Sequence, residues 1–139
     1  MNVLEEALEL LEKMVRIPSV EGQELEMGNL VEKFTSSLGM KVEKQEVEEG
    51  RYNVIAKIQI GKGGKTVILN SHMDVVPAAE GWETDPYRLT IKNGRAYGRG
   101  STDAKGCLTA LLIAVKSIIE NPDGINGNII VTAVVDEET

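Results

Sequence analysis

Apolar residues recur at helical spacing from the start of the chain. Val3, Leu4, Ala7, Leu8, Leu11, Met14 and Val15 alternate with Glu5, Glu6, Glu9 and Glu12, which predicts an amphipathic helix. It must end before Pro18, because the residue preceding a proline is pushed out of the α region. Ser19-Val20-Glu21-Gly22 reads as a turn. A second helix is expected from about Gln23 to Leu38 on Leu25, Leu30, Val31, Phe34 and Leu38, with Gly39 as its C-terminal cap. The period then changes to two. Residues 40–48 alternate Met40, Val42 and Val47 with charges, as an edge strand does, and Tyr52 to Ile60 alternates more cleanly. Gly61-Lys62-Gly63-Gly64 is expected to be a hairpin turn into the central strand, and not a phosphate cradle, because no helix follows it. The strand it leads into, Thr66 to Leu69, is a short β-branched run that reads as buried. Tyr87–Ile91 and Arg95–Tyr97 flank Asn93-Gly94, a strong hairpin signal. A glycine-rich turn, 98–103, leads to a helix from about Ala104 to Ile119, ended by Asn121-Pro122-Asp123-Gly124. Asn128 to Val135 is a near-continuous apolar run, typical of a strand buried on both faces. No repeat, linker or low-complexity tract divides the chain. Helices, strands, then strand–helix–strand predict an α/β domain, expected as a three-layer α/β/α arrangement around a mixed, mainly parallel sheet.

Chemistry-bearing residues collect at the ends of these elements. His72, the only histidine, closes the Thr66 strand. Asp74 follows at i+2, so in extended backbone the two side chains point the same way. A metal-bound histidine usually donates its second ring N–H to such a partner. Asp136-Glu137-Glu138 close the last strand, and Asp103 precedes the third helix. Each has an ordinary explanation on its own: a histidine at a strand end, a helix N-cap for Asp103, a solvated acidic tail. Taken together, His72, Asp74, Asp103, Glu137 and Glu138 would share the C-terminal rim of an α/β sheet, where ligands bind. So many carboxylates there need a cation to offset their repulsion. One nitrogen and several oxygens suit zinc, manganese or cobalt, and a carboxylate such as Asp103 can bridge two metals. Cys107, in the first turn of the third helix, is expected to be packed and not a ligand. Trp82, in the irregular segment 75–85, is expected to pin that loop to the core.

Composition narrows the partners. A chain of 139 residues suits one domain. Its net charge of −7 argues against nucleic acid and anionic membranes. One cysteine fits a reducing compartment. No stretch approaches the roughly 20 apolar residues of a membrane span, and the acidic N-terminus lacks the pattern of a signal peptide. A cytoplasmic location is the expectation.

Longer motifs sharpen this reading. Ser71-His72-Met73-Asp74-Val75-Val76-Pro77, Gly81-Trp82, Asp85-Pro86-Tyr87, the run Asn93 to Gly106, and Asp136-Glu137-Glu138-Thr139 resemble the zinc aminoacylase and exopeptidase family. Acetylornithine deacetylase, succinyl-diaminopimelate desuccinylase, aminoacylase and glutamate carboxypeptidase belong to it. Ile17-Pro18-Ser19-Val20 resembles its first-loop motif. The resemblance implies a phosphorylase/hydrolase-like fold, with His72 as ligand of one zinc, Asp103 as the bridge and Glu138 as ligand of the second. It implies Glu137 as general acid/base and Asp74 as the residue that orients His72, with cobalt or manganese as alternatives to zinc. The implied activity is hydrolysis of an amide bond in a small N-acyl amino acid, in amino-acid biosynthesis, by a homodimer. A dipeptidase or carboxypeptidase of the same family, or a non-catalytic metal-binding fragment, is the alternative. The family pattern continues with a further acidic ligand, a lid and dimerisation domain and a late histidine. Residues 1–139 are therefore expected to be the N-terminal part of the catalytic domain, inactive alone.

Overall fold

The computed structural model describes residues 2–139, and its first helix shows the local logic. The Asn2 side chain accepts from the Glu5 N–H at 2.9 Å while the Glu5 carboxylate accepts from the Asn2 N–H at 2.9 Å. This reciprocal capping box starts α1 (Val3–Val15), which buries Leu10, Leu11, Met14 and Val15 and ends three residues before Pro18. Helix α2 (Leu25–Ser37) buries Met27, Gly28 and Val31 and stops before Gly39, whose φ of +77° suits a glycine. Then come β1 (Lys41–Glu48), β2 (Arg51–Ile60), β3 (Thr66–His72), the short hairpin β4 (Thr90–Lys92) and β5 (Arg95–Tyr97), α3 (Lys105–Glu120) and β6 (Gly127–Val134). Asn93 and Gly94 join β4 to β5 with φ of +53° and +71°, the left-handed pair that a tight hairpin requires.

The main sheet has the order β1-β2-β6-β3. It is mixed, and with its helices it makes an α/β fold, but not a mainly parallel one. Of its three pairings, β1·β2 and β2·β6 are antiparallel and only β3·β6 is parallel. The physical reason is connectivity. Parallel neighbours need a long crossover, and only the β3-to-β6 connection, which carries α3, supplies one. Three layers are not formed by the described residues either. Leu10 and Met14 of α1, Met27 and Val31 of α2, and Leu108 and Leu112 of α3 join one core with Val54, Ala56, Val131 and Ala133. The helices thus share one face of the sheet.

The strand that follows the glycine turn does not take its expected central place. The Gly61–Gly64 turn does not make a hairpin, because β6 lies between β2 and β3. The turn instead passes the start of β6, where the Asn126 side chain accepts from the Lys62 N–H at 2.9 Å and the Asn128 N–H donates to the Lys65 carbonyl at 2.9 Å. Strand β3 is accordingly an edge, with Val67 and Ile68 54% and 63% exposed, and β6 is central. Strand β6 buries Ile129, Val131 and Ala133 on one face and half-buries the other.

Candidate metal centre

Parallel pairing places His72 in register with Val134. It continues one residue further, the Met73 N–H donating to the Val134 carbonyl at 2.8 Å. Asp74 and Asp136–Glu138 therefore leave the sheet on one rim. The first loop braces them from behind. The buried Ser19 hydroxyl donates to the Met73 carbonyl at 2.6 Å, and the Val75 N–H donates to the Ser19 carbonyl at 3.0 Å.

Asp103 reaches the rim from the turn before α3. That turn is tight: Gly100 has φ of +81°, and a Cβ on Gly106 would collide with the Ser101 carbonyl. The Asp103–Ala104 peptide bond is cis. Asp103 is not the helix N-cap. Ala104 holds that position without a side-chain cap, and the Asp103 carboxylate turns to His72 instead.

All five candidate residues meet here. The His72 Nε2 lies 2.9 Å from Asp103 Oδ1 and 3.6 Å from Glu137 Oε2. Potential ligand atoms of His72, Asp103 and Glu138 lie within 4.8 Å of one another. Asp74 sits below, 1% exposed, and makes two contacts. Its backbone carbonyl faces His72 Nδ1 at 2.9 Å, closer than its carboxylate Oδ1 at 3.5 Å. Its Oδ2 accepts from the Glu138 N–H at 2.8 Å, while Oδ1 is buried without a hydrogen bond. Spacing alone pointed to the carboxylate as the histidine's partner; the nearer partner is the carbonyl, and the carboxylate ties the two halves of the rim together.

A carbonyl only accepts, so Nδ1 carries a proton and Nε2 is the atom turned toward the carboxylates. Burial pushes the His72 pKa down, but Asp103, the Asp74 carbonyl and the charges of Asp74 and Glu137 outweigh it, and the net shift is upward. The donor set of one imidazole nitrogen and carboxylate oxygens, with the second imidazole nitrogen already fixed, fits a zinc-like ion.

Two neighbouring residues differ from expectation. Cys107 is exposed and not packed; its Sγ donates to the Thr102 carbonyl at 3.4 Å, because it lies off the buried stripe of Leu108, Thr109 and Leu112. Trp82 is half-buried under the Arg99 guanidinium, 5.3 Å from the ring centre. It lines an open pocket of about 480 Å³ with Lys92, Asn93 and Tyr97, which none of the five rim residues lines. A smaller pocket of about 230 Å³, lined by Asp74, Val75, Pro77, Glu138 and Thr139, adjoins the rim itself. Arg51 and Glu24, which anchor Asp136, carried no signal in the sequence: neither lies near a rim residue along the chain.

The chain is similar to known proteins in both sequence and fold. The model of peptidase family M20/M25/M40 matches residues 68–139. A probable succinyl-diaminopimelate desuccinylase of Staphylococcus aureus is 35% identical over 135 residues, covering 96% of this chain and 33% of that protein. An acetylornithine deacetylase of Vibrio parahaemolyticus is 37% identical over 140 residues, covering 95% of this chain and 36% of that protein. The structure of an M20 family metallo-carboxypeptidase from Sulfolobus solfataricus superposes with a TM-score of 0.84 at 28% identity, over 96% of this chain and 31% of that one. The chain spans about a third of the length of the curated relatives it matches.

Proposed function

Because the chain belongs to peptidase family M20/M25/M40, we propose that residues 1–139 are the N-terminal part of the catalytic domain of a metal-dependent amide hydrolase. The observation that carries this is the convergence of His72, Asp103 and Glu138 from three separate segments. His72 and Asp103 would hold one zinc, and Asp103 and Glu138 a second, with cobalt or manganese able to replace it. When bound, the metals supply an activated water and polarise the scissile carbonyl. The protein's own residues do the rest. Asp74 fixes the His72 ring and the Glu138 backbone. Glu137, 57% exposed at the mouth, takes a proton and delivers it to the leaving amine.

The named relatives favour a small N-acyl amino acid as substrate, acetylated or succinylated. The metallo-carboxypeptidase likeness keeps a peptide as the second reading. Among the described residues no helix is long and apolar enough to cross a membrane. From the single cysteine and the family resemblance of the motifs, we place the working enzyme in the cytoplasm as a homodimer.

The test is calorimetric titration of the intact protein with Zn²⁺ beside turnover of acetylornithine, succinyl-diaminopimelate and dipeptides. Glu137→Gln should bind zinc as the wild type does and lose about 10²- to 10⁴-fold in turnover, the usual scale for a general acid/base. Glu138→Gln should bind zinc more weakly, and chelation should lower the melting temperature of the wild type but not of Glu138→Gln. Zinc loss from Glu137→Gln with none from Glu138→Gln would reverse the two roles.

A further inference from the structure

Asp136, Glu137 and Glu138 form one turn beyond β6, yet no strand or helix contains them. Something else must fix their direction. Arg51, the first residue of β2, is buried, and its guanidinium forks onto Glu24, Nε to Oε2 at 3.1 Å and Nη2 to Oε1 at 2.5 Å. Nη1 reaches Glu48 at 2.9 Å. Nη2 also donates to Asp136 Oδ1. Glu24 is 1% exposed, and a buried carboxylate without its cation is costly. The fork on Glu24 therefore holds the guanidinium still, and Asp136 must come to it.

We infer that Arg51 is a positioning residue for the acidic turn, setting through Asp136 where Glu137 and Glu138 point. The role of those two carboxylates rests on the proposed function above. Asp136 has φ of +63°, a left-handed conformation in which the residue decides the exit direction of the chain. Its neighbours are pinned as well. The Val135 N–H donates to Asn53 Oδ1 at 3.0 Å, and the Glu138 N–H donates to Asp74 Oδ2 at 2.8 Å. Arg51 and Asn53, at i and i+2, lean to one face of β2, so β2 grips one side of the turn and Asp74 the other. Glu137 is the residue between these grips, its carboxylate exposed toward His72.

A residue that merely joins α2 to the sheet would affect stability alone; a positioning residue affects the turn. The discriminating variant is Asp136→Asn in the intact protein. Asparagine tolerates the left-handed conformation, weakens the bond from Arg51 by removing the carboxylate's charge and leaves the Arg51–Glu24 fork in place. Expected are an exchange rate of the Glu138 amide hydrogen raised about tenfold in metal-free protein, a zinc Kd raised about tenfold, the lower end of the scale for groups that orient ligands, and a melting temperature near wild type. Arg51→Lys should show both local losses and a lower melting temperature, since one ammonium cannot replace a fork serving three carboxylates. Faster exchange with unchanged zinc affinity would support the positioning of the turn and overturn the ligand role of Glu138 instead. Wild-type exchange in both variants would overturn the inference and leave Arg51 a structural link.

Discussion

At the scale of single residues, what the chain gives away is where elements stop. His72, Asp74, Asp103, Glu137 and Glu138 are legible because each sits at a strand or helix end, and periodicity marks those ends. Their supporting residues are not. Arg51 meets Glu24 across 27 positions, and Lys105 meets Ile17 across 88; no local pattern records such pairings. Lys105 is fully buried, its Nζ donating to the Ile17 carbonyl at 2.6 Å. Burial, with the charge of Arg99 added, pushes its pKa down from 10.5 to about 8. Between these values the unfolded chain holds a proton that the folded protein has lost, so this group's contribution to stability rises with pH across that window. Below pH 8 the buried charge costs up to about 3 kcal/mol. In urea melts of metal-free protein, wild-type stability relative to Lys105→Met should therefore rise by about that amount from pH 7 to 10.5. A difference flat with pH would show that the ammonium is not destabilised by its surroundings.

Elements divide into those that local pattern specifies and those that it does not. The three helices and the β4–β5 hairpin match their expected positions within two or three residues, because capping, apolar spacing and the Asn93-Gly94 turn are short-range signals. The sheet order was not legible. Gly61–Gly64 carries every feature of a hairpin turn, and only the placement of β6 between its flanking strands decides otherwise. Glycines give a direct test of local geometry. A Cβ on Gly106 meets the Ser101 carbonyl, which is backbone and cannot yield cheaply, whereas on Gly28, inside α2, it meets only side chains at ordinary contact distances, Val54 Cγ2 at 3.5 Å and Met73 Cε at 3.9 Å. Gly106→Ala should cost about 1–3 kcal/mol, the scale of overpacking, and weaken zinc binding by shifting Asp103. Gly28→Ala should stabilise by up to about 1 kcal/mol through reduced freedom of the unfolded chain. Thermal midpoints that moved together would refute the contrast.

Across the whole molecule, helices cover one face of the sheet and β3 leaves an edge open. Val67 and Ile68 stand more than half exposed on it, and an edge with free backbone groups and apolar side chains invites strand addition. Purified 1–139 should self-associate with rising concentration, and Ile68→Lys should shift sedimentation toward the monomer while leaving the circular dichroism spectrum unchanged. Equal association in both would place the contact elsewhere. The insertion of β6 also has a consequence in time. Strands β2 and β3 emerge from synthesis well before the strand that separates them, joined by a short glycine loop. Closing a short loop costs less entropy than waiting for a distant partner, so early pairing of β2 with β3 competes with the native order. The rim cannot assemble until β6 wedges between them, which makes the candidate metal centre a late event in folding and its formation a report that the sheet has been threaded correctly.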